Sequence, residues 1–140
     1  ERGATEQAMS ALSDAGVSRI IMLQVAGAFH SRLMVPAAVA FAPILEQTKI
    51  SAPQVTVVQN VTGEAVTNPE AIRDNLRAQV TGSVLWETCV RTMMDTGIDL
   101  LIELGPGKVL SGFMRRIDRR FPTVNVASAA DLEAAVAAVG

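Results

Sequence analysis

Short apolar runs alternate with helix-forming segments along the second half of the chain, and this order constrains the fold more than any other feature. The run at residues 99–104 precedes a helical pattern at 109–120, and the run at 124–127 precedes another at 131–138. Strands that alternate with helices build a parallel sheet whose faces are covered by the helices. The sequence therefore predicts an α/β fold, in which active sites lie at the carboxyl ends of the strands.

The first half of the chain predicts a similar mixture of elements. Helical spacing of apolar residues and the following Gly16 predict a helix over residues 4–15, and a branched apolar run predicts a strand over 19–25. After a turn at 27–31, a helix is predicted over 33–48, with Pro36 in its first turn and with Pro43 placed to kink or shorten it. The remaining predictions are a strand at 54–59, a helix from the cap Asn68 to residue 78, and a helix at 84–96 capped by Ser83 and closed by Gly97.

Composition excludes several classes of protein. Hydrophobic residues make up 49 % of the chain and charged residues 19 %, which excludes a disordered polypeptide. A single cysteine, Cys89, leaves no internal disulfide and is expected to be a small core residue, while one histidine with scattered carboxylates offers no metal-ligand spacing. The formal net charge of −2 and the lack of a long apolar run argue against nucleic-acid and membrane partners. We therefore expect a soluble, cytoplasmic domain without a metal.

His30 is the only histidine and therefore the first candidate for proton transfer. Histidine can take and return a proton near neutral pH, although a lone histidine is more often structural or solvated. Its position in a glycine-containing turn after a predicted strand favours a functional role. The sequence lacks the Gly-x-Ser-x-Gly pattern of a nucleophile elbow, and the side chain of Ser31 is expected to diverge from its neighbour.

Two features of the last third leave a structural and a functional interpretation open. Residues 105–108, Gly-Pro-Gly-Lys, lack the spacing of a Walker loop and form either a tight turn or a helix start that attracts an anion. Positions 105–122 contain five cationic residues and only one acidic residue, Asp118. The cationic residues form either a solvated helix face or a surface that binds an acidic partner or a phosphate. These cations are Lys108, Arg115, Arg116, Arg119 and Arg120. The apolar residues Trp86, Met93 and Met94 are expected to line the core or a groove.

Three segments together resemble the malonyl-CoA:acyl carrier protein transacylases of fatty-acid synthesis. They are residues 27–31 (Gly-Ala-Phe-His-Ser), 76–86 (Leu-Arg-Ala-Gln-Val-Thr-Gly-Ser-Val-Leu-Trp) and 103–112 (Glu-Leu-Gly-Pro-Gly-Lys-Val-Leu-Ser-Gly). Their order and spacing agree with the family along nearly the whole chain. The resemblance implies an α/β hydrolase-like large subdomain with a parallel sheet, of which residues 27–140 form the carboxy-terminal part. It also implies that residues 1–26 are the end of a ferredoxin-like small subdomain.

The resemblance further implies a ping-pong transfer of malonyl from coenzyme A to the phosphopantetheine thiol of an acyl carrier protein, through a serine ester. His30 matches the family's general base and acid, and Gln79 matches the residue whose main-chain carbonyl orients that ring. Phe29, directly before the histidine, matches a phenylalanine that accompanies selectivity for malonyl over the branched methylmalonyl. The coenzyme A thioester is a substrate, so no cofactor is implied.

The catalytic groups that the resemblance requires are not all present in this sequence. The family's nucleophilic serine, its oxyanion-hole donors and the arginine that pairs with the malonyl carboxylate belong to a preceding amino-terminal part. We therefore expect this chain to be inactive alone and to need that part as a partner, with the cationic residues of the last third facing the carrier protein. Two alternatives remain, namely an inert acyltransferase-like docking module for a carrier protein and a fragment of a polyketide-synthase acyltransferase domain.

Overall fold

The structure, a computed structural model, describes residues 2–22 and 25–139 and contains six α-helices and four strands within them. The first half holds α1 (Arg2–Asp14), α2 (Val35–Gln47), β1 (Val57–Gln59), β2 (Glu64–Val66) and α3 (Pro69–Gln79). The second half holds α4 (Trp86–Asp95), β3 (Leu101–Leu104), α5 (Val109–Ile117), β4 (Thr123–Val126) and α6 (Leu132–Val139). Single 3-10 turns, Arg32–Met34 and Ala129–Asp131, lead into α2 and α6.

The predicted α/β class with a parallel sheet is confirmed in the second half of the chain. Strands β3 and β4 pair in parallel, from Leu101 opposite Thr123 to Leu104 opposite Val126, and α5 connects them. Helix α6 packs against β4, where Val126 and Ala135 are buried. The turn that follows β3 therefore lies at the carboxyl end of a parallel strand, where α/β proteins place functional loops.

The strand predicted at 54–59 is shorter than expected and belongs to a hairpin. Only Val57–Gln59 is a strand, and it pairs antiparallel with β2, which the sequence analysis did not predict. Gly63 takes φ +74° in the connecting turn, a conformation that favours glycine. A Cβ there would lie 2.5 Å from Thr88 Cγ2, because α4 packs closely on the hairpin.

The helix ends show which local signals determine the structure. Asn68 caps α3 as predicted, since its Oδ1 accepts the backbone N–H groups of Glu70 at 2.8 Å and Ala71 at 3.1 Å. Ser83 is not the cap of α4, which begins only at Trp86. The backbone N–H of Leu85 instead donates to the carbonyl of Asn60 at 2.8 Å, so the approach to α4 is bound to the hairpin. Helix α5 ends at Ile117 rather than at residue 120, because Asp118 is extended.

In the first half, the strand predicted at 19–25 is wrong for the described residues, and one of the two effects predicted for Pro43, a shortened helix, does not occur. None of residues 19–22 and 25 is in a strand, while residues 23 and 24 lie outside the described part of the chain. Ile21 and Val25 are more than 60 % exposed, and an apolar run without a neighbouring strand has no hydrogen-bond partner to hold it. Pro43 does not shorten α2, which continues to Gln47, because packing against α3 supports the helix.

The core within the described residues is small and mostly aliphatic. Its buried apolar members are Leu45, Cys89, Val90, Met114, Val126 and Ala135. Many other large apolar side chains are exposed, including Val39 and Ile44 on α2. In residues 2–22 and 25–139, no helix is both long enough and apolar enough to cross a membrane.

Candidate active site

His30 lies in a tight turn between α1 and α2, with its backbone in the left-handed region at φ +59°. A non-glycine residue in this region is strained by an amount on the order of 1–3 kcal/mol and persists only where its surroundings hold it. The neighbouring hydroxyl of Ser31 makes hydrogen bonds on both sides of His30. Its Oγ donates to the carbonyl of Ala28 at 2.7 Å and accepts the backbone N–H of Leu33 at 3.3 Å. The turn therefore presents an exposed histidine from a fixed backbone.

The imidazole ring of His30 contacts the carbonyl oxygen of Gln79, 49 residues further along the chain. His30 Nδ1 lies 2.9 Å from that oxygen and 3.4 Å from the side-chain Nε2 of Gln79, whose two hydrogens are donated to the carbonyls of Gly82 and Ser83. A carbonyl oxygen can only accept, so Nδ1 must carry the proton in this contact. In the neutral ring, Nε2 is then left with a free lone pair and can act as a base.

The carbonyl of Gln79 is available because it lies in the last turn of α3. The last carbonyls of a helix have no partner within the helix, and positive charge is stabilised at this end. The side chain of Gln79 binds the segment that follows, since its Nε2 donates to the carbonyls of Gly82 at 3.1 Å and Ser83 at 3.2 Å. A Cβ at Gly82 would lie 2.9 Å from the carbonyl oxygen of Ala78, so this turn has room only for glycine.

Contacts between α2 and α3 keep the two partners at a fixed distance. The guanidinium of Arg73 on α3 donates to the carbonyl of Thr48 at 3.1 Å, just after α2. Arg77, two residues before Gln79, pairs with Glu46 on α2. The turn that carries His30 leads directly into α2, and the carbonyl that meets its ring is on α3. The alignment of the ring therefore depends on the packing of these two helices.

Phe29 shares the turn with His30 and is 57 % exposed. Its ring lies over Gly27, where an added Cβ would be 3.5 Å from Phe29 Cζ. The structure thus places the aromatic ring and the imidazole on adjacent residues of one turn. The role of Phe29 in selectivity stays a prediction.

The turn at 105–108 does not offer a free helix start to an anion. The carboxylate of Glu103 accepts the backbone N–H groups of Leu110 and Ser111, each at 2.9 Å, and the Ser111 hydroxyl at 2.5 Å. These bonds, the Ser111 hydroxyl foremost, hold the pKa of the Glu103 carboxyl below its ordinary value. The amide of Asn125 donates to the carbonyl of Gly107 at 2.8 Å and closes the turn. The structural interpretation of this segment is therefore favoured.

Sequence reasoning missed Glu103 as the group that fills this position. The only available signal was an acidic residue at the end of an otherwise apolar strand, followed closely by a glycine-rich turn and a helix. A carboxylate near a helix start is stabilised by the helix dipole and by the unpaired N–H groups. Such a residue can cap the helix without standing next to it in the sequence.

The five cationic residues are all exposed but do not form one cluster. Lys108 precedes the first turn of α5, while Arg115 and Arg116 are in its last turn. Arg119 and Arg120 follow the helix. Within the described part of the chain, none of the five forms an ion pair. The four arginines at one end of α5 are therefore free to meet an acidic surface, and Lys108 lies apart from them.

The remaining candidates have structural surroundings. Cys89 is 2 % exposed, its Sγ donates to Asn60 Oδ1 at 3.3 Å, and burial raises the pKa of its thiol. Trp86 and Met114 line a small groove beside β3. Among residues 2–22 and 25–139, no cluster of histidine, cysteine and carboxylate side chains could hold a metal ion.

The known proteins that resemble this chain in sequence and in structure are enzymes of one kind. No model of a known protein family matches the sequence. The malonyl CoA-acyl carrier protein transacylase of Bacillus subtilis is 34 % identical over 131 residues, which are 94 % of this chain and 41 % of that protein. The crystal structure of an acyl carrier protein S-malonyltransferase from Vibrio cholerae is 39 % identical with a TM-score of 0.86, and the match covers 96 % of this chain and 44 % of that one.

A further solved structure combines such an enzyme with a carrier. It is described as a type II PKS acyl-carrier protein in complex with its malonyl-transacylase, and it matches 99 % of this chain and 45 % of its own with 36 % identity and a TM-score of 0.91. The chain spans about two fifths of the length of the curated relatives that it matches.

Proposed function

Because this chain belongs to the malonyl-CoA:acyl carrier protein transacylase family, we propose that the whole protein that includes it transfers malonyl groups from coenzyme A to an acyl carrier protein. The observation that carries the proposal is the 2.9 Å contact between His30 Nδ1 and the carbonyl oxygen of Gln79. It leaves Nε2 of an exposed ring free to accept a proton. Homology over most of the chain supports the substrate class.

In the first half-reaction, His30 Nε2 removes the proton from a serine hydroxyl supplied by a part of the protein outside this chain. The serine oxygen attacks the thioester carbonyl of malonyl-CoA, and collapse of the tetrahedral intermediate expels the coenzyme A thiolate. The protonated His30 gives its proton to that thiolate. The products are a malonyl-serine ester and free coenzyme A.

In the second half-reaction the same steps run with the carrier protein. His30 removes the proton from the phosphopantetheine thiol, whose sulfur attacks the serine ester. The serine oxygen leaves and regains its proton from His30, so that the enzyme returns to its starting state. Malonyl ends as a thioester on the carrier protein.

A main-chain carbonyl in place of a carboxylate changes how the base is supported. It fixes the tautomer and the direction of the ring as an aspartate would, but it has no full charge to stabilise the imidazolium. The carbonyl end of α3 supplies only the partial negative charge of the helix dipole. We infer that Gln79 acts mainly through geometry.

Phe29 and the arginines in and just after α5 complete the proposal. The rigid ring of Phe29 beside the base leaves less room for a substituent on the substrate α-carbon and favours malonyl over methylmalonyl. The exposed, unpaired Arg115, Arg116, Arg119 and Arg120 supply positive charge for an acidic carrier protein. The solved complex of a related transacylase with a carrier supports such a partner.

The test is malonyl transfer by the whole protein and by its His30→Gln variant. We expect transfer in the first, a loss of at least about a hundredfold in the second, consistent with the usual contribution of general acid–base catalysis, and unchanged binding of coenzyme A. The 140-residue chain alone should show no transfer, because it has a base without a nucleophile or an oxyanion hole. A normal rate for the variant would remove His30 from the mechanism. Carrier binding without transfer by the whole protein would instead favour an inert docking module.

A further inference from the structure

We propose that Ser31 is a positioning residue for His30, and that its hydroxyl holds the catalytic turn in the conformation that the ring requires. The role of His30 as the base rests on the function proposed above, whereas the effect of Ser31 on the ring does not. Ser31 is not itself a candidate nucleophile, because both of its hydrogen bonds are made within the turn.

The backbone of His30 is strained. At φ +59° it occupies a region that non-glycine residues rarely adopt, so some interaction must compensate for the strain. The hydroxyl of Ser31 bonds to residues on both sides of His30. It donates to Ala28, two residues before the histidine, and accepts from Leu33, three residues after it. The two bonds close the turn around the strained residue.

The second step is the direction of the ring. A histidine side chain points where its backbone directs it, and His30 Nδ1 meets the carbonyl of Gln79 at 2.9 Å while its backbone is in the left-handed conformation. Without the hydroxyl of Ser31, the backbone is free to relax toward negative φ. The ring would then move away from Gln79, and the proton on Nδ1 would lose its acceptor.

The chain contains a matched control in a turn without a histidine. Thr62 makes bonds with the same spacing in the β1–β2 hairpin, since its Oγ1 donates to the carbonyl of Gln59 at a longer distance of 3.4 Å and accepts the backbone N–H of Glu64 at 3.2 Å. Thr62→Ala therefore removes a hydroxyl from a closed turn in the same way as Ser31→Ala. The two variants should differ in their effect on a histidine, because only the turn that contains Ser31 includes one.

The experiment compares Ser31→Ala, Ser31→Thr and Thr62→Ala in the whole protein. The measurements are kcat and KM for malonyl transfer, thermal unfolding, and the ¹⁵N chemical shifts of the His30 ring. These chemical shifts report the tautomer of the ring, and they are assigned by their disappearance in the His30→Gln variant. We expect Ser31→Ala to lower kcat by roughly ten- to a hundredfold, as small displacements of catalytic groups do, with little change in KM. The ring signals should shift toward a mixture of tautomers.

Ser31→Thr keeps the hydroxyl and should restore both the rate and the ring signals, while Thr62→Ala should change unfolding without changing either. The proposal is overturned if Ser31→Ala leaves the ring signals and kcat as in the wild type, or if Thr62→Ala lowers kcat equally. If the wild-type protein transfers no malonyl, the proposed function fails, but the ring signals still decide the role of Ser31.

Discussion

Gly82→Ala tests whether the turn after α3 controls the alignment of His30. Gly82 does not require a positive φ, so alanine is allowed by the backbone and the effect is purely steric. The new Cβ would lie 2.9 Å from the carbonyl oxygen of Ala78 and 3.0 Å from Val61 Cγ2. Carbon atoms pack best at about 3.5 Å or more, so the turn must move by about half an ångström. Such overpacking costs about 1–3 kcal/mol of unfolding free energy.

The same movement should lower the rate of malonyl transfer. The carbonyl of Gly82 accepts the side-chain amide of Gln79, so a displaced turn pulls on the residue whose main-chain oxygen meets His30. A 1 Å misplacement can reduce a rate by about a hundredfold, and half of that displacement suggests roughly tenfold. Urea unfolding with an unchanged m-value gives the stability, and steady-state kinetics give the rate.

Gly112→Ala is the matched control and should have the opposite sign. Gly112 lies inside α5, and an added Cβ would meet no atom within 4 Å. Replacing glycine by alanine within a helix is expected to stabilise the protein by about 0.5–1 kcal/mol, with no change in rate. If Gly82→Ala were as stable and as active as the wild type, the steric reasoning and the link from this turn to His30 would both be refuted.

Four further outcomes are expected. Glu103→Gln should be less stable than the wild type at neutral pH, and the difference should vanish in unfolding experiments at acid pH. The folded protein lowers the pKa of Glu103, so its carboxylate stabilises the fold above the ordinary pKa of 4.5, and this stability is lost as pH falls through the folded-state pKa. Cys89, whose pKa burial raises, should react with iodoacetamide only in the unfolded protein, as mass spectrometry can show. Phe29→Ser should relax discrimination against methylmalonyl-CoA in competition assays, and unchanged selectivity would contradict the steric argument. Charge reversal at Arg116 and Arg119 should weaken carrier binding in titrations at low salt and matter less at high salt.

Several elements follow from local chemistry and from the order of residues along the chain. The cap at Asn68, the end of α4 before Gly97 and the parallel pairing of β3 and β4 are all as expected. The contact between His30 and Gln79 was expected only through the family resemblance. No periodicity in one sequence links two residues 49 positions apart, because helix packing brings them together.

The failures arise where contacts outside the local sequence pattern, or the lack of them, decide the structure. Ser83 has the right chemistry for a helix cap, but the hairpin holds Leu85 through Asn60 and moves the start of α4. The apolar run before residue 26 resembles a strand, yet no neighbour pairs with its described residues. Glu103 caps α5 by accepting the N–H of a residue seven positions away, and the rules for helix caps consider only residues next to the helix start. The division of the chain at residue 26 stays a prediction.

The oxygen that receives the imidazole proton belongs to a peptide group, and this has a consequence for genetic screens. Every amino acid introduced at position 79 brings its own carbonyl, so replacing side chains one at a time cannot delete the acceptor. Such a survey would report the effect of the side-chain amide, which binds the next loop and lies 3.4 Å from His30 Nδ1, and would not detect the main-chain oxygen that lies 2.9 Å from the same nitrogen. Replacing the peptide linkage itself, for example by an ester made through chemical ligation, would weaken the acceptor while leaving every side chain unaltered.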